Sequence, residues 1–290
     1  MKIAVTWQDK KNIKPLLQSG ASIFIVGLAP LAHRMKHPVD LDALPGVIDQ
    51  IHQAGKSIWV NVNALLHEPQ LDEAKRAIET LSTLNIDGLL FADLAVFNFA
   101  DAVGLKDKLI YYPETYTTSD HDVRFWNDEG IQSLIVGREM TLNDIEAMAK
   151  TQSLPLSIVG HGYLNMFHSR RPLVENFFKH TNDQNPDDVK DKRSLTLVEE
   201  QRNEAYPIYQ DAFGTHIFRA KPLASFKVLD KLKVWIDTLI IDGLFFDDVH
   251  VLSMINDYEQ ALRGEAVEGY KDYDDGFYFK KTGLNKGVKS

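Results

Sequence analysis

Eight short apolar runs, rich in β-branched residues and separated by helix-like intervals, constrain this chain more than any other feature. They are 2–7 (KIAVTW), 22–28 (SIFIVGL), 57–63 (SIWVNVN), 88–92 (GLLFA), 109–112 (LIYY), 133–136 (SLIV), 156–159 (LSIV) and 238–242 (TLIID). Each is nearly continuous in hydrophobicity rather than alternating, which suits parallel strands buried on both faces. Helical signals lie between them. Residues 41–54 end at Gly55, a C-terminal stop, and 73–84 are amphipathic. Thr141 is placed to cap 142–150, with Asp144 at its third position, and Asp247 or Asp248 to cap a last helix running to Arg263. Eight strands alternating with helices predict an α/β fold, a TIM-like (β/α)8 barrel. A doubly wound sheet is the alternative, but no Gly-rich phosphate turn follows the first strand.

One interval breaks the rhythm. Strand starts fall about 20–35 residues apart elsewhere, whereas about 80 separate the seventh run from the eighth. That interval holds a helix-like piece (172–180), a polar stretch (181–193) and strand-like segments at 194–199 and 205–219. The expected organisation is a barrel over 1–264, with a rim insertion at about 165–230 between strands seven and eight, and a C-terminal extension over 265–290. The aromatic first part of that extension is expected to pack and its Lys-containing end to fray.

Charge and cysteine content narrow the function classes. With 32 Lys and Arg against 41 Asp and Glu the net charge is −9, so the chain as a whole has no attraction for phosphate backbones. It has no cysteine, which excludes disulfides, a thiol nucleophile and thiolate metal sites. No apolar run has the length of a membrane helix and the N-terminus lacks signal-peptide features, so a cytoplasmic location is expected. HEPQL at 67–71 lacks the second histidine of a zinc protease and contains Pro69; GKS at 55–57 has Gln50 where a phosphate loop needs glycine; no GxSxG elbow exists.

In a barrel, chemistry sits at the C-terminal ends of the strands. The polar residues there are Asn61, Asn63, Asp93, Glu114, Arg138, Glu139, His161 and Asp242. Capping and loop satisfaction are the better reading for Asp93 and Asn61, and Glu139 beside Arg138 also reads as a structural ion pair. Convergence of Glu114, Glu139 and His161 on one mouth makes these three the candidate catalytic set. The segment 160–172 (GHGYLNMFHSRRP) flanks His161 with glycines and sets His168 seven residues on, as on one helix face. The pair lacks a third ligand of known geometry, so no metal is expected. Arg170 and Arg171 suit a carboxylate or phosphate, and equally a solvated face. With Arg138, Asn63 and Asp242 they form the expected binding set for a small anionic molecule.

Four segments, in this order, carry a resemblance: GREM at 137–140, VGHGYLNMFHSRR at 159–171, YPIYQDAFGTHIF at 206–218 and IDG at 241–243. Together they resemble the peptidase U32, or collagenase-like protease, family, whose core is a TIM-like barrel. Some members are labelled proteases; others act in oxygen-independent hydroxylation of ubiquinone, of a ribosomal RNA base, or of the tRNA wobble uridine with prephenate required. The hydroxylation proteins hold a four-iron–four-sulfur cluster on four cysteines. Here Asn165 and Pro172 stand at two of those places and the polar 181–193 region at the other two, so the resemblance implies a chain without the cluster, and no cofactor is expected. It resembles most a short cysteine-free branch that accompanies a cysteine-bearing paralogue in wobble-uridine hydroxylation. The implied partners are that paralogue, or a second copy of this chain, a small anionic molecule, and tRNA only indirectly; no membrane is implied. Residues 270–279 are one candidate contact, with packing on the chain's own barrel as the alternative. Two other readings stay open: a peptidase, as the family label says, and a non-catalytic scaffold. Whether the chain is an enzyme is open with them.

Overall fold

A computed structural model describes residues 1–7, 13–150, 154–181, 189–199 and 204–280. The expected frayed end, 281–290, and most of the polar stretch, 182–188, lie outside them. Strands β1 (Lys2–Thr6), β2 (Ile23–Gly27), β3 (Ser57–Val62), β4 (Gly88–Phe91), β5 (Leu109–Tyr111), β6 (Ser133–Ile135) and β7 (Leu156–Gly162) pair in parallel in chain order. After β7 come β8 (Asn165–Ser169), β9 (Thr196–Glu199), β10 (Glu204–Asp211), β11 (Gly214–Phe218) and the two-residue β12 (Leu223–Ala224). The last strand, β13 (Thr238–Ile241), lies between β7 and β1 and pairs with both in parallel, which closes the barrel. The barrel is thus the eight-stranded (β/α) type, and all eight apolar runs are its strands.

Burial explains the runs. Every residue of β2 and of β4 is buried, because one face meets the barrel interior and the other meets helices. The helices are α1 (Ile13–Leu17), α2 (Leu44–Gln53), α3 (Leu71–Leu81), α4 (Leu94–Ala102), α5 (Asp120–Glu129), α6 (Leu142–Ala149), α7 (Leu173–Thr181), α8 (Leu229–Trp235) and α9 (Asp248–Leu262). On α3 the buried residues are Ala74, Ala77, Ile78 and Leu81, a stripe at three- and four-residue spacing. Thr141 caps α6, Asp247 caps α9 and Asp93 caps α4, each side chain accepting an orphan backbone N–H. Among the described residues no helix is long and apolar enough to cross a membrane.

The long interval builds a second, four-stranded antiparallel sheet in the order β8–β11–β10–β9, with α7 beside it, while β12 adds antiparallel to β7. The expected helix carrying His161 and His168 is therefore not there: His161 is in β7 and His168 in β8. The chain beyond α9 folds back onto its own barrel. Tyr278 is buried, with its hydroxyl 2.7 Å from that of Ser225, and Asp274 pairs with Arg219. Within 270–279, Tyr270, Tyr273 and Tyr278 are spent on this packing, and Phe279 is exposed.

Candidate functional site

The centre of the site is one buried carboxylate held between two arginines. Glu114, just beyond β5, pairs with Arg34 from the loop after β2 and with Arg138 from the turn after β6. All three side chains are about nine-tenths buried. Both Glu114 (φ 67) and Arg34 (φ 53) adopt the left-handed backbone region that residues other than glycine rarely enter. Local strain of this kind, on the order of 1–3 kcal/mol per residue, persists where surrounding structure imposes it, and it concentrates at functional sites. The Arg34 backbone N–H donates to Asp211 at 2.8 Å, which ties the inserted sheet to the barrel loop. A second N–H group of the Arg34 guanidinium, on Nη1, is buried and has no partner.

Two cavities meet this cluster. The outer one, about 270 Å³, is lined by His33, Asn63, Tyr112, Glu114, Arg138 and His168, among others. The inner one, about 30 Å³, lies deeper, between Thr6, Arg34, Asn61, Asn63, Tyr112 and Asp242. Both lie at the C-terminal ends of the strands, where barrel chemistry is placed. A larger cavity of about 420 Å³ lies at the opposite end, among Lys2, Ser57, Ser133 and Thr238 at strand starts. Burial pushes the Tyr112 phenol up to about 12, with Arg34 working against the rise. Burial also raises the Asp242 carboxyl, opposed by the Leu244 N–H and by Arg34. The mouth thus holds two cations around one carboxylate, a phenol that keeps its proton and an unpartnered N–H donor. Such a site suits a small anion that can take two or more charge-assisted hydrogen bonds.

The residues singled out by sequence divide. Glu114, Arg138, Asn63 and Asp242 meet at the mouth. Asn63 accepts from the His33 N–H at 3.3 Å, and its own N–H donates to Asn61 at 3.1 Å. Arg170 is exposed on the rim and donates to the Leu65 carbonyl at 2.6 Å, beside the outer cavity. Arg171 is exposed; its backbone N–H donates to the Ser169 hydroxyl and its carbonyl accepts from that of Thr215.

Glu139 and His161 do not join Glu114. Glu139 is exposed and lines neither cavity: Arg138 turns inward to Glu114, and the next side chain points away to solvent. His161 is turned out by a bulge. Ile240 of β13 is level with Val159 and Ile241 with His161, so Gly160 is the extra residue in β7. Val159 and Ile240 line the inner cavity, while His161 faces Tyr258 of α9 and the rings of Phe226, Phe246, Tyr270 and Tyr273. Burial there holds its imidazole down at about 3.

Sequence reasoning missed Arg34, His33 and His216. His216 on β11 is directly opposite His168 on β8, and the two rings stack at 4.5 Å. The His33 ring lies 5.5 Å from that of His216 and 5.7 Å from that of His168. Burial lowers the imidazole of His33 well below its ordinary value, and that of His216 to about 4 despite a hydrogen bond to Asp211. The segment HRM at 33–35 lies beyond the end of β2, and no spacing rule relates position 33 to 168 and 216.

An iron–sulfur cluster of the kind implied by resemblance does not fit these residues. The Asn165 side-chain amide donates to the Phe167 carbonyl at 3.2 Å, Pro172 offers no donor atom, and the chain has no thiolate.

Comparison with known proteins agrees with the fold and the motifs. The tRNA hydroxylation protein P2 of Bacillus subtilis (strain 168) is 26% identical over 302 residues, covering 97% of this chain and 98% of that protein. The tRNA hydroxylation protein P1 of the same organism is 19% identical over 210 residues, covering 72% of this chain and 50% of its own length. This chain therefore matches P2 end to end and spans about half of P1. The solved structure of the U32 peptidase Mk0906 overlays with a TM-score of 0.51 at 11% identity, over 83% of this chain and 92% of that one, a likeness of fold. Residues 8–280 match the family described as Peptidase family U32, and the chain belongs to that family.

Proposed function

We propose that this chain serves tRNA wobble-uridine hydroxylation in the cytoplasm as a subunit without a redox centre, binding a small anionic molecule at the barrel mouth. The observation that carries the reading is the Arg34–Glu114–Arg138 cluster with its unpartnered Arg34 Nη1 beside a strand-end cavity. Arg34, Arg138 and Asn63 supply the donors, and Arg170 guards the rim. The end-to-end match to a relative named for tRNA hydroxylation supports the process. On this reading a cysteine-bearing member of the same family brings the redox centre and most of the RNA contact, which is in keeping with a chain that has no cysteine and a net charge of −9.

The test is genetic and chemical. The gene is deleted alone and together with that of the cysteine-bearing relative, and hydroxylated wobble uridine in bulk tRNA is measured by mass spectrometry. Loss of the modification, restored by the wild-type gene but not by Arg138→Ala, is expected. Unchanged modification in both deletions overturns the reading. In that case cleavage of gelatin by the purified chain, abolished by Arg138→Ala, would favour the peptidase reading.

A further inference from the structure

Three histidines that no short motif links come together where the inserted sheet meets the barrel. His168 and His216 form a cross-strand pair on β8 and β11, and His33 approaches from the loop after β2. Each offers one ring nitrogen, and the three nitrogens lie within 4.8 Å of one another. We propose that His33, His168 and His216 form a binding site for a first-row divalent transition-metal ion of the zinc type.

The hydrogen bonds around the rings favour this. His168 Nε2 lies 3.1 Å from the Phe213 carbonyl oxygen, and His216 Nε2 lies 3.4 Å from Asp211 Oδ1. A carbonyl and a carboxylate only accept, so both Nε2 atoms carry the ring proton and both Nδ1 atoms present a lone pair. Metal-bound histidines are held in this way, with the outer nitrogen donating to a carbonyl or carboxylate that fixes the ring. Asp211 is itself fixed, accepting the backbone N–H groups of Arg34 and Phe213 at 2.8 Å each. His33 Nδ1 and His216 Nδ1 are buried and have no hydrogen-bond partner. An unpaired buried acceptor is costly, and a bound cation would remove that penalty.

Three imidazole nitrogens suit zinc, copper, nickel or cobalt rather than calcium or magnesium, which prefer oxygen. Bonds of about 2.0–2.1 Å to a tetrahedral ion place ligand nitrogens roughly 3.4 Å apart, so binding would draw the rings together and tilt His168 and His216 out of their parallel stack, whose planes are now 7° apart. The Arg34 charge acts on His33 and His216, and it is paired with Glu114. His33 and His168 also line the 270 Å³ cavity, so a fourth coordination position opens towards Glu114 and Arg138. A site with three protein ligands and one open position is the arrangement of ions that bind water or substrate rather than serve structure alone.

The experiment uses the untagged full chain, stripped with chelator, then titrated with zinc and with cobalt. Metal per chain is measured by mass spectrometry after dialysis, and cobalt coordination by its visible absorption. One ion per chain and tetrahedral-type cobalt bands are expected for the wild type. His168→Ala, at the half-buried member of the three, is expected to lose at least tenfold in affinity. His121→Ala, on the exposed surface of α5, should bind as the wild type does. Circular dichroism checks that each variant is folded. Well under one ion per chain in the wild type overturns the site, as does a folded His168→Ala variant with wild-type affinity; should that variant unfold, the wild-type stoichiometry and cobalt spectrum decide alone.

Discussion

His161 Nδ1 lies 3.2 Å from the Tyr258 hydroxyl, outside the barrel wall rather than in its mouth. That hydroxyl donates its single proton to the Gly160 carbonyl at 3.0 Å, so the imidazole proton is on Nδ1 and donates to Tyr258. Nε2 is then a buried, unpartnered acceptor among aromatic rings. One extra residue in β7 produces all of this, because side chains alternate along a strand and a one-residue slip exchanges the faces.

Protonation of His161 should therefore couple to stability. Its folded value is held at about 3, below the ordinary value of 6.5. Above 6.5 the ring is neutral in both states. Between 6.5 and about 3 only the unfolded chain takes the proton, so the stability contributed by this residue falls with pH and is fully lost below about 3. Between pH 7 and pH 5 that loss is roughly 2 kcal/mol. His161→Asn keeps a donor near Tyr258 and removes the titration. Urea unfolding at the two pH values should show a pH effect smaller by that amount in the variant; an equal effect in both proteins would refute the burial argument.

The eight barrel strands were legible because double burial leaves an unbroken apolar run, a signal that needs no long-range information. Glu114, Arg138, Asn63 and Asp242 were legible for the same reason: they follow such runs directly. Glu139 and His161 were misplaced because their direction depends on a turn and a bulge, each decided by a single residue. Arg34 and His33 were hidden because their loop is fixed by Asp211, 177 residues away in sequence, across a strand pairing that local pattern does not encode. Nor does chain spacing announce the meeting of His33, His168 and His216.

Asp93 was better read as a cap than as a site residue, and its contacts define what its loss costs. It accepts from Ala95 N at 2.8 Å, capping α4, and from Leu66 N at 2.9 Å, tethering the loop after β3. Asp93→Ala is expected to lower stability by about 1–2 kcal/mol. Chemical denaturation measures it, and a loss under a few tenths would mean that water replaces both bonds freely.

Gly214 closes the two-residue turn between β10 and β11 with φ +118, opposite Asp211. A Cβ there would lie 2.0 Å from the Ser169 carbonyl oxygen, a backbone atom that cannot swing away. Gly214→Ala is expected to cost roughly 2–4 kcal/mol, from the left-handed backbone and from overpacking together. A melting temperature equal to the wild type's would show that β8 and β11 separate easily, and would weaken the fixed His168–His216 pair as well.

Removal of Glu114 tests the mouth most directly. Its carboxylate separates two buried arginines, and breaking a buried ion pair from one side costs about 3–5 kcal/mol because the charges left behind are uncompensated. Glu114→Ala should therefore unfold at markedly lower temperature than the wild type. The cavity so created is bounded by guanidinium donors, and a small free carboxylate such as acetate can enter it and restore the missing contacts. Thermal melts in acetate and in chloride at matched ionic strength separate this from general salt screening. Acetate should raise the melting temperature of Glu114→Ala by more than it raises that of the wild type. Equal shifts in both proteins would mean that removing Glu114 opens no additional carboxylate site between the two arginines.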